Sequence, residues 1–225
     1  MNLARALRAS VRAVCLVGCL LLVGCFDMRQ DLEFRSDGTA TAKMRIAVDA
    51  ALLAMAKQSE SKWCDASKLS SSSGVAGTAE QSTEGGDEVC SLTFSGKIDD
   101  LIAALSKASF GDGKKQGVQL NRLGENYEFV VDFPSFKSAG SQANDPMAKG
   151  MQALLLAKMS GRSLAWTVTA PRIIETSGKI SDDGRTATYS RPLASAFSSD
   201  DPTIFRAVVS LEPPGMFERF LSWFR

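Results

Sequence analysis

The spacing of apolar and polar residues changes twice within the first fifty positions. Residues 1–12, MNLARALRASVR, carry Arg5, Arg8 and Arg12 and no acid, and Ala13 to Val23 then run apolar. From there the pattern becomes alternation. Met28, Gln30, Leu32 and Phe34 alternate with Arg29, Asp31, Glu33 and Arg35; after a break, Ala40, Ala42, Met44, Ile46 and Val48 alternate with mostly polar neighbours. A period of two predicts two half-buried strands. Between them, Ser36-Asp37-Gly38-Thr39 supplies the Asp-Gly step of a tight hairpin turn.

The same reading continues along the chain. Asp49 is placed to cap a helix over Ala50 to about Glu60, a stretch rich in good helix formers. SLTFSGK after Cys90 reads as a strand, and Asp99 or Asp100 opens a helix that puts Leu101, Ile102 and Leu105 on one face. Val118 to Arg122 and Tyr127 to Phe133 form a second hairpin around Leu123-Gly124-Glu125-Asn126. Asp145-Pro146 starts a helix over MAKGMQALLLAKM, whose stripe of Met147, Met151, Leu154, Leu155 and Met159 either packs on a sheet or lines an adaptable apolar pocket. Leu164, Trp166 and Val168 alternate, Lys179 to Arg191 holds a turn at Asp183-Gly184, and Thr203 to Leu211 is a last strand. Hairpins mixed with a few helices, without a strand-helix-strand rhythm, predict an α+β domain: one antiparallel sheet with two to four packed helices.

The opening segment has its own meaning. A basic stretch, a short apolar run and the tetrad Leu22-Val23-Gly24-Cys25 make a lipoprotein signal peptide over residues 1–24. An apolar run of about ten residues is half the roughly twenty that a spanning helix needs, so acylation rather than a helix is expected to hold the protein. Cleavage between Gly24 and Cys25 would leave Cys25 as the palmitate-bearing first residue. Leu16-Val17-Gly18-Cys19 has the same form but leaves only a handful of apolar residues after Arg12, so Cys25 is preferred to Cys19. Phe26 rather than Asp comes directly after the anchor, which favours the outer membrane over the inner, with the domain facing the periplasm or the cell exterior.

Composition narrows the chemistry. The leader holds three of the 26 basic residues and none of the 25 acidic ones, so the mature chain is slightly acidic and offers no case for nucleic acid. Cys15 and Cys19 leave with the leader and Cys25 is acylated. That leaves Cys64 and Cys90, which in an oxidising compartment read as one disulfide closing a Ser/Gly-rich flexible loop at 65–89. A soft metal site would need more ligands than these two thiols provide, and the chain contains no histidine. No cofactor or metal is expected. Without histidine the Ser-His-Asp and Cys-His routes are closed. The adjacent pairs Asp99-Asp100, Asp182-Asp183 and Asp200-Asp201 read as caps or turns rather than catalytic dyads, so the protein is expected not to be an enzyme.

The order of lipobox, Asp31-Leu32-Glu33-Phe34, Ser36-Asp37-Gly38-Thr39 and later VTAPRIIETSGKISDDGRTATYSRPL resembles the LppM-type lipoprotein domain family, over most of residues 25 to 195. The later stretch is similar to that family's strand, proline, strand, Asp-Gly turn and strand ending in an aromatic residue, here Tyr189. The resemblance implies an α+β envelope domain that binds lipid or glycolipid and has no catalytic activity. It carries no ligand-binding side chain over to a numbered position. Many relatives continue into a C-terminal transmembrane helix whereas this chain stops at Arg225, a departure that bears on topology. The Cys64/Cys90 loop is a local elaboration.

The expected organisation is therefore a leader at 1–24, one envelope domain at 25–212, and a short amphipathic helix at 213–225. In that last segment Phe217, Phe220, Leu221 and Phe224 recur at helical spacing with Trp223 beside them, so they either contact the membrane or pack on the domain. The leading expectation is a membrane protein held through acylated Cys25, whose domain binds a lipid, glycolipid or other apolar ligand. The alternative is a structural or assembly lipoprotein that binds another envelope protein.

Overall fold

The computed structural model describes residues 26–50, 53–54, 64–66, 74–107, 117–133, 156 and 159–213. The alternation at the start of the chain forms β1 (Phe26–Phe34) and β2 (Thr39–Asp49), in unbroken antiparallel register from Phe26 opposite Val48 to Phe34 opposite Ala40. Their turn closes on Asp37, whose Oδ1 accepts from the Thr39 amide (2.9 Å) and hydroxyl (2.6 Å). β3 (Val75–Glu84) and β4 (Asp87–Lys97) make the next hairpin. Its two loop residues, Gly85 and Gly86, lie at φ +59° and +92°. Positive φ at both positions is the geometry whose twist matches the flanking strands, and it favours glycine.

Helix α1 (Ile98–Lys107) comes directly after β4, with Asp99 and Asp100 in its first turn, where carboxylates meet the positive end of the helix dipole. Its start is tied to the first hairpin by the Ile98 amide donating to the Gly38 carbonyl at 3.1 Å. Ile98, Leu101 and Ala104, three residues apart, are its buried face. Then come β5 (Gly117–Leu123), β6 (Asn126–Phe133), β7 (Ser163–Thr169), β8 (Arg172–Thr176), β9 (Lys179–Ile180), β10 (Thr186–Pro192), α2 (Leu193–Ser198) and β11 (Thr203–Ser210).

The strands make two sheets. The larger runs β3-β4-β2-β1-β7-β10-β9 and the smaller β5-β6-β11-β8. Neighbours are antiparallel except β1 and β7, which run parallel with Met28 opposite Leu164 and Leu32 opposite Val168. Alternation gives each sheet one apolar face: Leu32, Phe34, Leu164, Trp166 and Val168 on the first, Leu120, Phe129, Val131, Phe205 and Ala207 on the second, all in one core. Aromatic pairs join the faces, with ring centroids 6.2 Å apart for Phe133 and Trp166, 5.7 Å for Tyr189 and Phe205, and 6.1 Å for Phe34 and Tyr127. Offset and tilted ring pairs at such separations add to what their burial alone supplies.

This corrects the expected fold class in three respects. The described residues are mostly strand, in two sheets rather than one, and the larger sheet is mixed rather than antiparallel. Only two short helices, α1 and α2, lie wholly within those residues, against the two to four packed helices expected of an α+β domain. Turn residues mark the hairpins, but nothing local states which hairpins share a sheet. The expected helices at 50–60 and 147–159 fall almost entirely outside the described residues.

The loop expected at 65–89 is corrected as well. Most of its second half is β3, paired residue by residue with β4 from Val75 opposite Gly96 to Glu84 opposite Asp87. Val75 is the one buried residue of that strand, so it carries no alternation of hydrophobicity to read. Close approach marks its start: a side chain at Gly96 would run into the backbone carbonyl of Gly74.

The Cys64–Cys90 disulfide is present, with Cα atoms 5.5 Å apart and a sequence separation of 26. Cys90 sits on the apolar face of β4 at 1% exposure, and the neighbouring Ala66 is also in the core. The bridge thus fastens residues 64–66 onto the β3–β4 hairpin. A covalent loop of this length removes about 3–4 kcal/mol of chain entropy from the unfolded state. The double variant Cys64→Ala/Cys90→Ala is therefore expected to unfold at lower urea concentration by about that free energy, with membrane localisation unchanged. An unshifted urea midpoint would show that the bridge contributes nothing to stability.

Candidate functional site

Gly24 and Cys25 lie outside the described residues, as do Phe217, Phe220, Leu221, Trp223 and Phe224. Immediately after the cysteine, β1 begins at Phe26 with no intervening linker. β1 is the fourth of seven strands in the larger sheet, so its first residues enter the middle of that sheet.

That end of the sheet is held by polar bonds. Asp27 Oδ1 accepts from the Ser163 amide at 3.0 Å and its hydroxyl at 3.2 Å, joining β1 to the start of β7. The neighbouring Arg162 donates both terminal nitrogens to Asp87, at 3.0 and 2.8 Å, reaching the first residue of β4. Only 19% and 25% of these two side chains is exposed, so the paired N–H···O bonds are partly shielded from water. The Ala50 amide, just past β2, donates to the Gly86 carbonyl at 3.1 Å. Strands β1, β2, β4 and β7 are thereby locked together where an anchor at residue 25 would attach.

An apolar cavity lies where α1 meets both sheets, bounded by Leu32, Ala42 and Phe94 of the larger sheet, Leu101 and Ala104 of α1, and Leu120 of β5. Its volume is about 30 Å³. A cavity of roughly 150 Å³ admits benzene, and small-molecule sites run to several hundred. Among the described residues this cavity therefore has no room for an acyl chain.

The carboxylate pairs are occupied by local structure. Asp183 Oδ1 accepts from the Ser181 hydroxyl (2.6 Å) and the Arg185 amide (3.0 Å), closing the turn into β10. Those bonds, the Ser181 hydroxyl first, hold its carboxyl below the usual aspartate range. Asp201 accepts from the Ser199 hydroxyl at 2.6 Å, and Asp99 faces Arg122 at 3.6 Å. Asp183 is not poised as a general acid, because the hydrogen bonds it accepts favour its ionised form. No cluster of three or more metal-ligating Cys, Asp or Glu side chains occurs among the described residues.

Two features go beyond the sequence pattern, the first being the partners of Gln30 rather than its place in the alternation. Gln30 falls in the inward row of β1, where its Oε1 accepts from Trp166 Nε1 at 2.8 Å and its amide nitrogen reaches the Met44 sulfur at 3.3 Å. The second is the outer edge of β3. Among the described residues β3 pairs with β4 alone, and Thr78 to Glu84 are exposed.

No helix of the described residues is long and apolar enough to cross a membrane. No protein-family model matches the chain, and no curated protein matches it. Among solved structures it is similar to the folded domain of LppM from Mycobacterium tuberculosis, determined by NMR, at 15% identity over 84% of this chain and 91% of that one, with a TM-score of 0.47.

Proposed function

We propose that this chain is a lipid-anchored, non-enzymatic envelope protein whose domain sits directly on its anchor and serves as a structural or assembly module for another envelope protein. The observation that carries the reading is the start of β1 at Phe26, one residue after the lipobox cysteine. A domain without a tether is confined to the few nanometres next to the bilayer, where it can hold a membrane-associated partner but cannot reach across a compartment. The Cys64–Cys90 disulfide supports an oxidising compartment. Phe26 at the position after the anchor favours the outer membrane.

A second reading, a lipid, glycolipid or other apolar ligand held inside the domain, draws on the apolar lining of the cavity between α1 and the two sheets. The small volume of that cavity ranks it behind the first. Native mass spectrometry of the protein purified from its own membranes separates the two. A stoichiometric protein partner is expected. A copurifying lipid beyond the acyl anchor, with no protein partner, would replace the first reading by the second.

A further inference from the structure

Sheet edges differ in how they are protected. On the larger sheet, the far edge is β9, only two residues long. On the smaller sheet, β8 is irregular, its register shifting opposite Val208/Val209, and the other edge, β5, carries Arg122 and has α1 packed against it. Very short strands and bulges are ordinary defences against pairing with another chain. β3 has neither. It pairs over ten residues with β4 without a register shift, and its sequence VAGTAEQSTE contains no proline, lysine or arginine. Among the described residues no strand pairs along its outer side, so its outward backbone N–H and C=O groups present a template, the Glu80 carbonyl lying also 3.5 Å from Cys64 Sγ.

We propose that this edge is a docking site for an extended segment of a protein partner, which adds a strand beside β3 and carries a lysine or arginine opposite Glu80. The inference rests on the protein-binding reading above and names its surface. The side chains specify the chemistry of the added strand. Ala76, Thr78, Glu80, Ser82 and Glu84 share the outer face of β3. Glu84 is answered by Arg45 at 2.7 Å, whereas Glu80 has no ion-pair partner among the described residues. Gly77 and Ala79, on the other face, leave room for bulkier neighbours. A second copy of this chain would bring another Glu80 and Glu84 to the seam with no new cation, so the charge selects against self-pairing. Backbone hydrogen bonds would supply the affinity and the alternate side chains the selectivity.

The test uses the full chain and two ten-residue probe peptides, one alternating valine with lysine and one alternating valine with glutamate. The lysine peptide is expected to slow amide exchange across residues 75–84 by about tenfold or more, while the glutamate peptide leaves it unchanged. Glu80→Lys is expected to weaken the lysine peptide about fivefold, the scale of one exposed cross-strand charge pair. Glu80→Pro and Gln81→Pro form a control pair, because successive amides point to opposite sides of a strand. The variant that loses the outward amide should keep its melting transition and lose the peptide; the other should lose pairing with β4. The inference is overturned by unchanged β3 exchange at millimolar lysine peptide, by equal binding of the two peptides, or by slowed exchange that depends on protein concentration alone. If β3 stays unprotected while native mass spectrometry still finds a protein partner, the edge is wrong and the protein-binding reading stands.

Discussion

A Trp166→Ala chain is expected to lose about 3–5 kcal/mol of stability, the range for truncating a large aromatic side chain in a packed core. Trp166 is 1% exposed on β7, in the centre of the larger sheet. Its ring lies between those of Phe133 and Tyr189, at centroid separations of 6.2 and 5.9 Å. Phe133 belongs to the smaller sheet and Tyr189 to the larger, so loss of the indole opens a void at the junction of the two. It also leaves the Gln30 carbonyl oxygen without its donor. Gln30 is only partly buried, so water can replace the lost donor and most of the expected loss comes from the void. Urea denaturation reads the loss directly. Trp166→Phe divides it, since phenylalanine restores most of the packing but not the N–H. If phenylalanine unfolds at the same midpoint as tryptophan, the bond to Gln30 contributes nothing.

A Cys25→Ser chain is expected to take up no palmitate and to accumulate as an unprocessed or a soluble exported form. The leader is too short to span a bilayer, and no helix of the described residues is long and apolar enough to do so. Each buried methylene of an acyl chain contributes about 0.8 kcal/mol to anchoring, so losing two or three chains removes the attachment outright. Metabolic labelling with palmitate is the measurement, and undiminished label would move the anchor to Cys19. The thiol lies before β1, so the soluble form, where it accumulates, should unfold at the same urea concentration as the domain of the lipidated protein.

Much of this fold could be read from the sequence wherever a strand had one wet face and one dry face. β1, β2, β6, β7 and β10 alternate, β5 and β11 do so only in part, and the hairpin turns carry Asp-Gly or a lone glycine. β3 could not be read, because Thr78 to Glu84 are exposed and hydrophobicity has nothing to alternate against. α2, LASAFS, is too short to show a helical period. The parallel pairing of β1 with β7 joins Asp27 to Ser163 across 136 residues, a relation that no window of sequence contains. Of the site residues, the disulfide could be reached by counting thiols after the leader and the anchor. The free edge of β3 had no local signal, since an edge is defined by the strand that is missing beside it.

The parallel placement of β1 also governs the order in which the domain can be completed. The first strand of the chain is one that needs the seventh. β1, β2, β3 and β4 are close in sequence and can pair as soon as they emerge, but the far side of β1 stays open until Ser163–Thr169 has emerged too. Contacts this distant close slowly, because loop entropy is lost before any pairing is gained. Throughout that interval the backbone N–H and C=O groups of β1 that later pair with β7 stay open along one edge of a nascent four-stranded sheet. A chain halted before Ser163 is thus left with two unpaired borders, β1 and β3, and its vulnerability to misassembly lies in the half of the molecule made first.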